Sequence, residues 1–148
     1  MADVGVASAG SARHPRHAAR RRALDVLYQA DVTERRPSGV LAEWIACGED
    51  VPGFARELVE GVEAHLEELD ALLAEHSEEW TVARMAVVDR TILRLACFEL
   101  LHRPDVPVSV AIAEAVEAAT ELSTAESGRF VNGILGRIAR EMGERTTP

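Results

Sequence analysis

The sequence contains no lysine: all sixteen of its basic residues are arginine. Arginine is a permanently charged planar fork suited to carboxylate and phosphate, although a coding bias of the source genome is the simpler cause of that uniformity. Cysteine is nearly absent too. Cys47 and Cys97 lie in apolar surroundings without Cys-x-x-Cys or Cys/His spacing, so both are expected as buried free thiols of a reducing compartment. The five histidines are scattered, and only His14 and His17 lie close together. There is no H-E-x-x-H, no GxGxxG, no Ser/His/Asp or Cys/His grouping, and no Gly-rich loop behind a strand. Carboxylate pairs such as Glu67/Glu68 sit on an exposed-looking face with nothing to shift them. No catalytic residue, cofactor or metal is expected, and the chain reads as a non-enzyme. Nor does any run approach the roughly 20 apolar residues of a membrane span. The opening "MADVGVASAGSARHP" lacks the apolar core of a signal peptide. Arg20-Arg21 could suggest twin-arginine export, but Asp25, Gln29 and Asp31 interrupt the run that would have to follow. A cytoplasmic protein is expected.

What is present favours helix. The 148 residues suit one domain, and a 47% apolar composition dominated by Ala, Leu, Val, Glu and Arg suits an α-rich core. Charge is unevenly spread. Residues 1–22 hold five Arg and one Asp, so a chain of net charge −9 is cationic at its start and carries −13 over the rest.

Apolar periodicity places the helices. Ala23, Leu24, Leu27 and Tyr28 share one face of a first helix from about residue 16 to 33. Pro37 suits the first turn of a short second one holding Leu41, Trp44 and Ile45. Val59, Val62, Leu66, Leu69, Leu72 and Leu73 predict one amphipathic helix from Phe54 to about His76, its acidic face solvated. The segment Val82 to Arg103 is apolar almost all round, as a central buried helix would be, with its few charges at rims or paired with one another. Pro107 opens a helix with an Ala111, Ala115, Ala118, Leu122 stripe. Ser123-Thr124-Ala125-Glu126 reads as a capping box for a last helix with Phe130, Val131, Ile134, Leu135 and Ile138 inward. The fold class is therefore all-α: a compact bundle of six to seven helices. Residues 1–15 are expected as a disordered tail, 16–142 as a single helical domain and 143–148 as a frayed end.

Two features invite an anionic partner. Arg16 and Arg20 share a helix face, with Arg21 and Arg22 to either side. Such a cluster can grip phosphates with strong salt dependence. The alternative is a solvated helix start in which Arg21 meets Asp25 at i, i+4. Cations at a helix N-terminus oppose the macrodipole by roughly 0.3–1 kcal/mol, so something other than helix stability keeps them there. In "ESGRFVNGILGR", Gly128, Gly133 and Gly136 interrupt a helical pattern at a cost of up to ~1 kcal/mol each. Close approach of another backbone, protein or nucleic acid, would explain them. Phe130 is read as core in its body, with a base-stacking edge as the alternative.

"ARRRALDVLYQAD", "FARELVEGV", "VVDRTILRLACFEL", "VPVSVAIAEAVEAA" and "ESGRFVNGILGRI" occur in the order found in the NusB family of bacterial transcription antitermination factors. The chain resembles that family from about Arg16 to Ile138. The resemblance implies two packed helical subdomains. It also implies binding of the single-stranded boxA element of ribosomal-operon leader RNA, pairing with the ribosomal protein NusE, and entry into the RNA polymerase antitermination complex. On that resemblance Arg16, Arg20, Arg21, Arg22, Glu126, Arg129, Phe130 and Asn132 are RNA contacts, and Tyr28 and Asp89 face NusE. Two departures are visible: Ala113 stands where members often carry Asn, and Phe98 where Tyr is usual. The alternatives are a homodimer that buries the first helix, or the RNA-binding module of an rRNA methyltransferase, for which no cofactor-binding α/β domain follows.

Overall fold

The structure, a computed structural model, describes residues 14–146. Among them seven helices follow one another without a strand: α1 His14–Val32, α2 Pro37–Ala46, α3 Gly53–Ala64, α4 Leu66–His76, α5 Val87–His102, α6 Val108–Leu122 and α7 Ala125–Thr146. A 3-10 turn, Val82–Arg84, precedes α5. Most of the expected N-terminal tail lies outside the described residues. Helix α1 already includes His14, and α7 continues past Gly143 to Thr146.

Local chemistry accounts for most boundaries. Arg36 is extended and Pro37 opens α2, where its missing N–H costs nothing. Gly48 closes α2 with φ +88°, its N–H reaching Ile45 O and that of Glu49 reaching Trp44 O. This paired closure uses the left-handed backbone that glycine adopts freely. Pro107 likewise precedes α6. The cap of α7 is shifted by one residue from the expected box. Thr124 Oγ1 accepts the Ser127 N–H at 3.0 Å, because the helix starts at Ala125 and Ser127 is its third residue.

Helix α5 is the axis of the bundle, packing on α1, α3, α4, α6 and α7. Its buried run includes Ile92, Leu93, Leu95, Ala96, Cys97 and Phe98. One group of helices, α1 with α2 and α3, lies on one side, and the α6–α7 pair with α4 on the other. These are the two subdomains.

The long helix expected from Phe54 to His76 is broken. His65 leaves helical geometry (φ −114°, ψ 19°), so α3 packs on α1 and α2 while α4 packs on α5 and α7. The break rotates Leu66 to 37% exposed while Leu69 and Leu73 stay buried. Four residues of the supposedly solvated acidic face meet a basic partner: Glu57 with Arg103, Glu63 with Arg36, Glu68 with His102 and Asp70 with Arg94. The helix expected from Val82 starts only at Val87, since Met85 and Ala86 are extended. Its charges pair with other helices instead of one another: Arg90 with Asp31, Arg94 with Asp31 and Asp70, Glu99 with Arg20. Of the two cysteines only Cys97 is buried, its thiol pushed up to about 12 by burial and then by Asp70. Cys47 sits at the exposed end of α2.

Close approach explains one of the three glycines singled out in α7. A Cβ at Gly128 would lie 2.2 Å from Thr120 Oγ1, where α7 crosses α6. Gly133 faces open space, and Gly136 has only the Arg140 guanidinium nearby, so neither holds a backbone close. A glycine the pattern did not mark, Gly61, is the tighter case: its Cβ would fall within 2.0–2.6 Å of the Phe98 ring.

Candidate nucleic-acid interface

Helix α1 brings its arginines to α5, to the α5–α6 connection, to α6 and to the α2–α3 loop, and each meets a carboxylate. Arg16 Nη2 donates to Asp105 Oδ2 at 2.9 Å and stacks over Phe54, 4.3 Å from the ring centre. Arg21 Nη2 reaches Glu121 Oε1 at 2.9 Å. Arg22 reaches Glu49 Oε1 at 2.5 Å and Asp50 O at 3.3 Å, with Trp44 beside it. The closure of α2 at Gly48 is what delivers Glu49 there. The i, i+4 pair of Arg21 with Asp25 does not form, since Glu121 supplies a better placed partner across the α1–α6 seam. His17 Nδ1 spans the same seam to Glu114 at 2.8 Å.

Arg20 differs from its neighbours. Its side chain is 7% exposed and grips Glu99, itself 2% exposed, with Nε 3.0 Å from both oxygens and Nη2 2.9 Å from Oε2. It sits in the stripe of Ala23, Leu24 and Leu27, and it fastens α1 to α5 beneath the surface. Arg16, Arg21 and Arg22 are accessible. The carboxylates opposite are stabilised as anions: hydrogen bonds from Arg103 and then Arg16 hold Asp105 well below the usual carboxylate range, and Arg21 lowers Glu121.

The "ESGRFVN" segment opens α7. Glu126, Arg129 and Asn132 are exposed, and Phe130 is half-buried with its body against the core. Phe130 and Arg129 line a groove with Gly133, Arg137, Ser77 and Glu78. Arg129 has no ion-pair partner among the described residues, whereas Arg137 donates to His76 O. The open space over Gly133 keeps the groove floor free. Arg137 and Arg140 follow Arg129 at i+8 and i+11, a spacing that marks the same helix face.

Tyr28 and Asp89 lie at the other end of α1 from Arg16. Tyr28 is 43% exposed, against its expected place in the buried stripe, and borders a cleft with Leu24, Val88, Thr91 and Leu122. Leu122 is 48% exposed, the end of an α6 stripe whose buried members are Ala111, Ala115, Ala118 and Ala119. Asp89 is buried in the first turn of α5, where Ser127 donates to its Oδ2 at 3.2 Å. Its Oδ1 has no partner, nor has Thr91 Oγ1. Burial pushes the Asp89 carboxyl up, partly offset by the Ser127 hydrogen bond. So Asp89 joins the start of α5 to the start of α7, and Tyr28 offers the exposed ring beside them.

The model of the NusB family matches residues 17–140. The transcription antitermination protein NusB of Salinispora arenicola is 49% identical over 128 residues, covering 84% of this chain and 94% of that protein. Among solved structures, NusB of T. maritima superimposes with a TM-score of 0.78 at 38% identity, covering 86% of this chain and 92% of its own. A structure of the antitermination factors NusB and NusE in complex with dsRNA matches with a TM-score of 0.72 at 26% identity, over 85% of this chain and 96% of that one. No helix among the described residues is long and apolar enough to cross a membrane.

Proposed function

Because the chain belongs to the NusB family, we propose that it is a non-enzymatic antitermination factor that binds boxA-type RNA together with NusE. It then joins the antitermination complex on RNA polymerase in the cytoplasm. The observation that carries the RNA part is the α7 groove, in which Arg129, without an ion-pair partner among the described residues, stands beside a half-buried Phe130 over the open floor at Gly133. A guanidinium there serves phosphate and the ring edge serves a base. Arg16, Arg21 and Arg22 form the second contact along α1, with Glu126 and Asn132 lining the path between them. Arg20 acts beneath it as a positioning residue. Tyr28, backed by Asp89 and exposed Leu122, is the NusE-facing end.

Binding of the full chain, NusE and their mixture to boxA-like and scrambled RNA tests the reading. The mixture should bind the boxA strand more tightly than either protein alone, without a matching gain on the scrambled strand. Arg21→Ala with Arg22→Ala should weaken binding and flatten its salt dependence while the fold is kept. Equal affinity for both RNAs, or a salt slope unmoved by the double variant, would overturn it. Arg20 is left intact in that test because its loss would disturb the core.

A further inference from the structure

Three side chains at the far end of α5 from Asp89 converge on one point. His65 occupies the break between α3 and α4, Glu68 lies in the first turn of α4, and His102 is the last residue of α5. The two imidazoles stack with centroids 3.8 Å apart at an interplanar angle of 21°. Phe98 packs under both, 5.9 Å from His65 and 5.6 Å from His102. Glu68 Oε1 is 2.8 Å from His102 Nε2 and 3.3 Å from His65 Nδ1, and the three atoms all lie within 4.8 Å of one another.

We propose that His65 Nδ1, His102 Nε2 and the Glu68 carboxylate form a binding site for one divalent transition-metal ion of the zinc class. Both imidazoles aim a nitrogen at the same carboxylate oxygen, so one cation seated among the three donor atoms would draw on all of them. The three donor atoms are close enough that turning one stacked ring out of parallel brings them to the about 3.3–3.4 Å separations of a tetrahedral site with ~2.0–2.1 Å bonds. Two imidazoles and one carboxylate suit Zn(II) and its relatives, whereas Mg(II) and Ca(II) take oxygen donors. The ligands stand on helix ends braced from below. Gly61 lets the Phe98 ring lie against α3, and that ring is the floor on which both imidazoles rest. The cluster is open to solvent, since Glu68 is half-exposed. The ion would tie the α3–α4 break to the end of α5 and stabilise the folded chain by an amount that grows with the logarithm of the free ion concentration once the site is filled. A second cluster, His17 with Glu114 and Glu117, offers one imidazole only and lies on the arginine edge.

Calorimetric titration of the untagged, chelator-stripped full chain with ZnCl2, and with MgCl2 in a parallel arm, tests the site. CoCl2 added in place of zinc reports coordination by its visible bands. Expected are one Zn(II) per chain, no Mg(II) uptake and tetrahedral-type cobalt bands. Glu68→Gln and His102→Ala should each weaken Zn(II) binding by about tenfold or more with unchanged circular dichroism, and His17→Ala should leave it unaltered. Absence of Zn(II) uptake by the parent chain would overturn the proposal and leave the triad an ion pair. Zn(II) uptake that survives both Glu68→Gln and His102→Ala would overturn it equally. Because Glu68→Gln keeps shape and removes charge, its effect does not depend on whether His102→Ala disturbs the end of α5.

Discussion

Arg20 shows how a single residue can be read correctly in charge and wrongly in place. It precedes Ala23, Leu24 and Leu27 by three, four and seven positions, so it belongs to the buried stripe, and Glu99 follows Leu95 and Ala96 on α5 in the same way. An Arg and a Glu each lying on an apolar stripe is a sequence signal for a buried pair, but it emerges only once the two helices are known to face each other. Removing one partner strands the other charge in the core. Arg20→Met and Glu99→Leu are each expected to cost about 3–5 kcal/mol alone, and the two together to recover much of it. Urea denaturation of the two singles and the double in a mutant cycle measures this. A loss under about 1 kcal/mol in the singles would mean that water reaches the pair.

At the scale of elements, most helices were legible because their apolar period and their Pro and Gly punctuation agree: Pro37, Gly48 and Pro107 each mark a boundary that forms. The breaks at His65 and at Met85–Ala86 were not legible, since neither holds a helix breaker and both exist to satisfy packing across the bundle. What fixes the approach of α1 to α5 is a charged junction. Asp31 accepts from Arg90 Nε at 2.7 Å and Nη2 at 2.8 Å, and Arg94 reaches both Asp31 and Asp70. The Arg90 hydrogen bonds hold the Asp31 carboxyl below its ordinary value. A carboxylate whose folded value is depressed adds stability above its unfolded value, near 3.9, and loses it as pH falls toward the folded one. Asp31→Asn should therefore lower stability at neutral pH by about 1–3 kcal/mol, with the gap to the parent closing below roughly pH 4. Urea midpoints across that range decide it. A gap independent of pH would assign the effect to packing instead.

On the scale of the whole molecule, the sequence suggested an acidic body with one cationic edge, and the structure places acids on that edge as well. Glu49, Asp105 and Glu121 sit opposite Arg22, Arg16 and Arg21, so these guanidiniums are already partnered before any phosphate arrives. The α7 groove is different, because Arg129 is unpaired there among the described residues. If RNA lies along both, phosphates at α1 must displace carboxylates, while those at α7 meet a free cation. Part of the electrostatic gain at α1 is thus cancelled by exchange of one anion for another, and the net effect of each arginine is smaller than its charge suggests. Glu49→Gln and Glu121→Gln should release Arg22 and Arg21 from this competition. In the double variant, affinity for boxA-type RNA is expected to rise severalfold at moderate salt, with a steeper fall as salt increases. Fluorescence anisotropy over a salt series reads both quantities. An affinity that stays flat or drops in a folded variant would mean that the carboxylates hold the arginines in the geometry RNA needs, making the acids part of the binding edge instead of its competitors.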